Sequence, residues 1–447
     1  MILSLQIGYV EPMKFGDGID SISERVRGKA ITYQKHSPPL DGADGMDVEA
    51  YNVVCKSQKE LEKTFEISAA MSFGFGLGSL GGNFQFVNKH VMTDTSVCFV
   101  VKVQAAKLAT SIDDVEISKA AITVYDDDPI KFLKRYGDYY VSALKTGGTF
   151  YGTIYVECKD EDQKKEINAG LEGKADLAIL KAGGKGEVKK EIMEVIKNLD
   201  SRVYVHTTGF TFPKLPLTDD LEKMIELASI FPNKMEEKGR LSITKAVLQD
   251  YETLGLSDEN DHILKLKEKR HQMIEECANL RSEILTKLET INQIRGNPLA
   301  YPKQNPKKLS KYQEELSFLL STIAKRVSQC LMNPMCDTKT VDLQLSKMKE
   351  LDQLKLTRQT LAIDETDSQI LKKYELFKDI LGNPKDDEGV CTDGQGRYKI
   401  YQNGVVFWHP EIGSYEVHGP IFERYKEEGM EKGRFGYPTS DEEYVPP

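Results

Sequence analysis

The chain of 447 residues has no run of about 20 apolar side chains, which excludes a constitutive transmembrane helix. Its cysteines are sparse: Cys55, Cys98, Cys158, Cys277, Cys330, Cys336 and Cys391 form an odd, scattered set without zinc-ligand spacing. All seven are expected to be reduced. An excess of positive charge is also missing. The formal net charge of -10 gives no global pull towards nucleic acid or anionic lipid. The first residues lack a basic start, a long apolar core and a small-residue cleavage site, so no signal peptide is expected.

Catalytic signatures are absent as well. The sequence contains no G-x-S-x-G, no H-E-x-x-H and no phosphate-binding G-x-x-x-x-G-K-[ST]. Gly76, Gly78 and Gly81 fit G-x-G-x-x-G, but no helix pattern follows them to complete a strand–turn–helix. Asp126–Asp128 before Pro129 reads as a helix N-cap region rather than a cation site. The expectation is a non-enzyme with no cofactor and no metal. A hydrophobic content of 40% and a charged content of 29% otherwise describe an ordinary soluble protein, long enough for two or three domains.

What is present begins with YGDYYVSALKTGG at Tyr136–Gly148. Tyr139, Tyr140 and Val141 suit a strand, and Gly147-Gly148 permits a sharp bend or a close backbone contact. Strands are also expected at Lys29–Tyr33, Val97–Val103, Ala120–Val124, Thr149–Val156 and Arg202–Thr208, each rich in β-branched or aromatic residues. Two unusual inserts separate them. In the first, Lys56–Ser96, a helix is expected at Lys59–Phe65. Met71, Phe73, Phe75 and Leu77 then alternate with small residues at a strand's period of two, and Phe84 and Phe86 follow. The second, Lys159–Asp200, has helical stretches near Asp162–Leu171 and Glu187–Leu199, with Ala175, Leu177 and Ile179 alternating imperfectly between them.

The spacing of the Tyr136–Gly148 segment resembles the signature of the membrane-attack-complex/perforin (MACPF) family: aromatic, Gly, Thr or Ser, His, aromatic, six residues, Gly-Gly. Tyr136, Gly137, Tyr140, Gly147 and Gly148 match it, while Asp138 and Tyr139 replace the usual Thr/Ser and His. Residues 16–31, GDGIDSISERVRGKAI, resemble the start of the stonefish-toxin-like branch; Arg25, Arg27 and Lys29 there suit a solvated helix or turn. The resemblance implies a bent sheet flanked by two helical clusters, which unfurl into membrane-inserting hairpins and close a barrel with neighbouring copies. Met71, Phe73, Phe75, Leu77, Phe84, Phe86, Ala175, Leu177 and Ile179 would then be the inserting side chains. The plainer alternative is that these charged, glycine-rich inserts never leave their sheet.

From Pro216 onward the apolar spacing turns helical, over Asp219–Ile230, Thr244–Leu254, Asp261–Ile294, Lys308–Met332 and Thr340–Phe377. One stripe runs Leu266, Met273, Cys277, Leu280, Ile284, Leu288 and Ile291; the next runs Tyr312, Leu316, Leu319, Ile323 and Val327. Two long antiparallel helices in an elongated bundle or coiled coil are the simplest solution. After Asp386 the chain becomes rich in glycine and aromatics. Asn403-Gly404 there signals a hairpin turn with positive φ.

Tyr401, Asn403-Gly404, Trp408, Gly413, Val417-His418-Gly419, Ile421 and Phe435-Gly436-Tyr437-Pro438 resemble the LGFP repeat of cell-wall-associated proteins. The resemblance implies a surface- or glycan-binding tail with Tyr401, Trp408, His409, His418 and Tyr437 as candidate contacts. Trp408 is equally readable as the tail's core, and the histidines as turn braces.

The fold expected is α+β. A MACPF-like bent antiparallel sheet with two helical clusters occupies residues 1–215, an elongated α-helical bundle 216–385 and a small β-rich, LGFP-repeat-like domain 386–447. The function implied is a pore-forming protein, soluble before it acts, that binds a target lipid or receptor and oligomerises; nucleic acid is not an expected partner. It would act at a target-cell membrane. The alternative is a non-lytic adhesion or assembly protein whose tail holds a glycan.

Overall fold

In this computed structural model the described residues are 4–37, 45–107, 109–172, 185–196, 199–209, 221–237, 242–256, 261–296, 305–333, 336, 369–385, 388–391, 393 and 395–442. The strands of the head, in chain order, are β1 (Ser4–Gly8), β2 (Gly18–Asp20), β3 (Arg25–Arg27), β4 (Ile31–Thr32), β5 (Lys35–Ser37) and β6 (Met46–Cys55). They continue with β7 (Ser96–Lys107), β8 (Thr110–Asp113), β9 (Glu116–Ile117), β10 (Tyr139–Glu157), β11 (Asp200–Thr208) and β12 (Ser242–Asp250). All except β4 and β9, which pair with each other, join one antiparallel sheet organised on β10.

β10 changes neighbours at its glycine pair. Beyond Gly148 it lies between β7 and β11; before it, β12 flanks one side and β8 and β2 the other. Two register shifts break the β10–β12 ladder, between Val141 and Ala143 and between Lys145 and Thr146. Irregularities of this kind sharpen local twist and bend a strand.

β7 is apolar without alternation because both its faces are covered. Phe99, Val101 and Val103 meet α6 (Glu161–Glu172) and α7 (Lys185–Ile196) of the second insert, together with α8 (Leu221–Glu237). Cys98 and Val100 face the opposite way, onto α1 (Gln58–Thr64) and α3 (Gly81–Lys89) of the first insert. Between these two helices lies the short α2 (Ala69–Ser72). The two inserts thus cover opposite faces of one sheet.

Four expectations are corrected here. Ala120–Val124 is not a strand but part of α4 (Lys119–Asp127), because the Ser118 side chain caps its first turn by accepting from the Ala121 N–H. It leads into α5 (Pro129–Tyr136), capped by Asp128. Residues 18–27 form the β2–β3 hairpin rather than a helix or simple turn. Thr244–Leu254 is mainly strand β12, with Thr244, Ala246, Leu248 and Asp250 buried in alternation; pairing with β1 and β10 overrides its helix-like spacing. The head's sheet therefore takes a strand from beyond residue 215. Lastly, a helix does follow Gly81, although the residues before it are helical turns and not a strand.

α9 (Asp261–Gly296) and α10 (Pro306–Met332) form the helical pair. Ile284, Ile291 and Ile294 pack with Leu309, Tyr312, Leu316 and Ile323 at one end. Met273, Ile274 and Cys277 pack with Val327, Cys330 and Leu331 at the other, so the helices run antiparallel. Cys330 and Cys336 form a disulfide, contrary to the expected all-reduced set: the turn after α10 brings their Cα atoms to 5.1 Å, within bonding range. No helix among the described residues is long and apolar enough to cross a membrane.

In the tail, α11 (Gln369–Leu381) precedes a sheet of β13 (Gly389–Val390), β14 (Arg397–Ile400), β15 (Gly404–His409) and β16 (Gly413–His418), followed by α12 (Gly419–Glu427). One sheet face packs Val405, Phe407 and Val417 on Phe422 and Tyr425; the other packs Val406 and Tyr401 on Ile370, Tyr374 and Leu381 of α11. The tail's packing therefore begins before residue 386. The β14–β15 turn forms at Asn403-Gly404 as expected, though neither residue has positive φ. Gly404 is needed for another reason: a Cβ there would lie 2.5 Å from the Val417 carbonyl oxygen.

Candidate functional site

The motif residues come together around β10. Tyr136 closes α5, and Gly137 follows at φ +78°, where a Cβ would sit 2.1 Å from the Ile19 carbonyl oxygen. The Tyr140 hydroxyl donates to Gln249 on β12 at 2.9 Å. At Gly147 a Cβ would lie 2.4 Å from the Ala105 carbonyl oxygen, and at Gly148 2.5 Å from that of Thr208. Three strands approach here as closely as backbone allows, and only glycine fits. Gly147→Ala is expected to cost about 1–3 kcal/mol through this backbone clash, read as a lowered denaturation midpoint. A midpoint equal to the parent's would mean that the close approach is dispensable.

Asp138, a departure from the motif, has its own use. It accepts from the Ser21 N–H at 2.8 Å and the Ser21 hydroxyl at 2.7 Å, and Lys267 of α9 stands 3.9 Å away. Burial raises its pKa, and the neighbouring Asp20 adds to that while Lys267 opposes it.

The first insert is parked under α9 and α10. Met71 is buried in α2, while Phe73 and Phe75 rest on the α9–α10 core, and Leu77 is half-buried in the turn that follows. In this arrangement the period-two stretch is helix and turn, not strand. Phe84 lies beneath the Arg281 guanidinium at 5.9 Å. Phe86 stacks on Phe65 at 5.2 Å, and Phe65 on Tyr151 of the sheet at 4.2 Å. Asn83 bonds the Phe65 carbonyl and meets His206 Nε2 at 2.8 Å. Burial holds the His206 pKa down at about 4. In the second insert, Ala175, Leu177 and Ile179 lie outside the described residues.

α9 is fastened along this insert by charged groups that the apolar reading of its stripe passed over. Arg281 donates to Glu62 of α1 at 3.2 Å and to Asn88 of α3 at 2.7 Å; Ser282 donates to the other Glu62 oxygen at 2.7 Å. Lys287 pairs with Asp94 at 3.0 Å, and Thr290 accepts from the Asp94 N–H. Towards the other end, Arg270 grips both oxygens of Asp20 at 3.2 and 3.1 Å and caps the Cys330 and Leu331 carbonyls at the end of α10. Burial would raise the Asp20 pKa, but Arg270 and Arg27 outweigh it and hold the carboxyl below its usual range. One sequence signal could have found this: Arg270 falls on the apolar stripe's own spacing, between Leu266 and Met273.

In the tail, Tyr401 is corrected from a surface contact to a core residue. It is 1% exposed and stacks on Tyr374 at 4.4 Å, because α11 covers that face of the sheet. Trp408 is half-buried against the same core, under the Arg397 guanidinium at 5.7 Å. Asp393 accepts from the Gly396 N–H at 2.9 Å and the Tyr437 hydroxyl at 2.7 Å, and His409 Nε2 stands 3.3 Å away. Against the upward push of burial, these donors and the His409 charge hold the Asp393 pKa at about 2. His418 meets the wholly buried Glu416 at 2.7 Å and Glu442 at 3.5 Å. His409, His418 and Tyr437 thus brace the tail's own loops.

The LGFP repeat family matches residues 381–433. Among solved structures, the chain is similar to stonustoxin at 13% identity and TM-score 0.39, over 84% of this chain and 48% of that one. It is also similar to GNIP1Aa from Chromobacterium piscinae, at 14% identity and TM-score 0.24, over 56% of this chain and 53% of that one. A third similarity is to a cell invasion protein with a MAC/perforin domain from Bacteroides thetaiotaomicron, at 11% identity and TM-score 0.21, over 43% and 46%. The chain spans about half the length of the structures it matches. No curated protein matches it. By these comparisons the tail matches the LGFP repeat, and the likeness to the three solved structures, one of them with a MAC/perforin domain, is distant.

Proposed function

We propose that this protein is a membrane pore-former. It would meet a target lipid or receptor, assemble with further copies of itself, and recast residues 56–96 and 159–200 as amphipathic hairpins. The observation that supports this best is the alignment of four strand ends. Cys55 lies opposite Cys98, Ser96 opposite Glu157, and Glu157 opposite Asp200. Both inserts therefore leave the sheet from one end, each between strands already hydrogen-bonded as an antiparallel pair.

Extending β6 and β7 into the first insert, and β10 and β11 into the second, would lengthen existing ladders without changing any neighbour. A spanning strand needs about 9–11 residues, and each insert has enough chain for two. In lipid the outer strands would leave backbone groups unpaired, so a lone copy cannot complete the step and a closed ring is required. Nothing in this mechanism calls for a catalytic residue. The tail, held to its own core by α11, would serve as the surface-recognition element, with the half-buried Trp408 as its candidate glycan contact.

Dye release from liposomes of mixed composition, and from whole cells where a receptor is needed, tests the proposal. Release should rise steeply with protein concentration. Phe75→Arg, placing a charge on the expected lipid-facing side, costs about 2–4 kcal/mol per copy at mid-bilayer and should lower release more than tenfold. Binding without release from liposomes or cells would reject the pore and leave the adhesion reading.

A further inference from the structure

A cavity of about 750 Å³ lies where β1, the first insert, β12 and α9 meet. That volume is within the range of small-molecule sites. Leu5, Ile7, Met71 and Leu80 supply apolar wall, and Glu24 is part of the lining. Glu24 is only 6% exposed, and its Oε2 has no hydrogen-bond partner among the described residues. It is held at φ +52°, in the left-handed region that side chains avoid. The glycine-rich stretch of the first insert closes over it, since a Cβ at Gly76 would come within 2.6 Å of that oxygen.

Three other acids line the cavity, and Glu275 of α9 is half-buried and open to solvent. Glu62 is engaged by Arg281 and Ser282, and Glu66 by Lys102 and Lys245. Lys59 and Lys63 stand at the exposed rim, where solvent screens them. Burial pushes the Glu24 pKa up to about 7, against the smaller downward pull of a hydrogen bond from the Ser68 side chain to the carboxyl. A buried carboxylate with no cation beside it is costly, and a cation brought to it recovers much of that cost. A metal ion would ask for more unspent oxygens than this one carboxyl supplies.

We propose that the cavity binds a small organic ammonium, with its charged head at Glu24 and a short apolar body among Leu5, Ile7, Met71 and Leu80. Because the walls belong to the first insert, the sheet and α9 at once, the occupant ties the insert to both. This holds whether or not the insert ever enters a membrane.

Calorimetric titration of the full chain at pH 8 with hexylammonium, hexan-1-ol and hexanoate tests it. Hexylammonium should bind saturably, at least tenfold more tightly than the other two, and weaken as pH falls from 8 to 5. It should also slow amide exchange across residues 58–72. Glu24→Gln should weaken binding at least tenfold. Leu5→Trp, which fills the cavity and keeps the carboxyl, should also abolish it, and guards against a Glu24 variant that fails to fold. Equal binding of the three six-carbon compounds, or unchanged hexylammonium binding by a folded Glu24→Gln protein, overturns the proposal.

Discussion

Replacing Arg281 by methionine should loosen the first insert from α9 at a cost of about 3–5 kcal/mol, the penalty for stranding one member of a buried ion pair. The Arg281 and Glu62 side chains are 11% and 8% exposed, so water cannot readily take over the lost contact. Arg281 also holds Asn88, and the single change therefore frees α1 and α3 together. Amide exchange should accelerate over residues 58–95 while β7 and β11, on the sheet beneath, keep their protection.

The control is the double variant Arg281→Met with Glu62→Leu. With both charges gone, desolvation is no longer paid without return, and stability should recover most of the loss. If the proposed function holds, the single variant also releases dye at lower protein concentration than the parent. Uniformly faster exchange across the whole sheet would instead make Arg281 a general stabiliser, with no selective hold on the insert.

Acidification should strengthen the head through Glu24. Its folded pKa, about 7, lies above the ordinary carboxyl value of 4.5. The folded state therefore binds the proton more tightly than the unfolded one. Stability from this group is fully present below pH 4.5 and is lost as pH rises to about 7. The shift corresponds to about 3 kcal/mol. Asp250, raised by burial to about 6, acts in the same direction, and His206, held at about 4, acts against both as acid protonates the unfolded chain first.

A difference measurement isolates Glu24. Glu24→Gln should be more stable than the parent at pH 8, by up to the same ~3 kcal/mol, and converge on it near pH 4.5. Denaturant titrations at the two pH values decide the matter. A gap that does not change with pH would show that the side chain's shape, not its charge, governs the site.

Some of this architecture was open to reading. Val97–Val103, Thr149–Val156 and Arg202–Thr208 are β-branched and aromatic enough to announce themselves, and each lies within a strand of the sheet. The α9 and α10 stripes were equally plain. β12 was not, because Thr244–Leu254 satisfies both periods and only its partners β1 and β10 select the extended one. Tyr401 was misjudged because its burial depends on α11, a helix in a different stretch of sequence.

The fastening of the first insert was hidden for a related reason. Glu62 and Arg281 are far apart in the chain, and each by itself looks like a solvated charge on a helix. Only the fold makes them partners. Cys330 and Cys336 are near neighbours, yet their pairing depended on how the chain turns after α10.

The sheet's two coverings differ in kind, and so they answer to different physical variables. The second insert and α8 meet β7 and β10 through a cluster of aliphatic and aromatic side chains. Such a contact gives way on cooling, as the hydrophobic drive fades. The first insert adds to its apolar footing carboxylates that pair with Arg281 and Lys287 of α9. Proton concentration acts there through Glu24, and the cost of stripping water from its charges falls as temperature rises. A single sheet therefore carries a thermometer on one side and a proton gauge on the other, and the two coverings should weaken under different conditions.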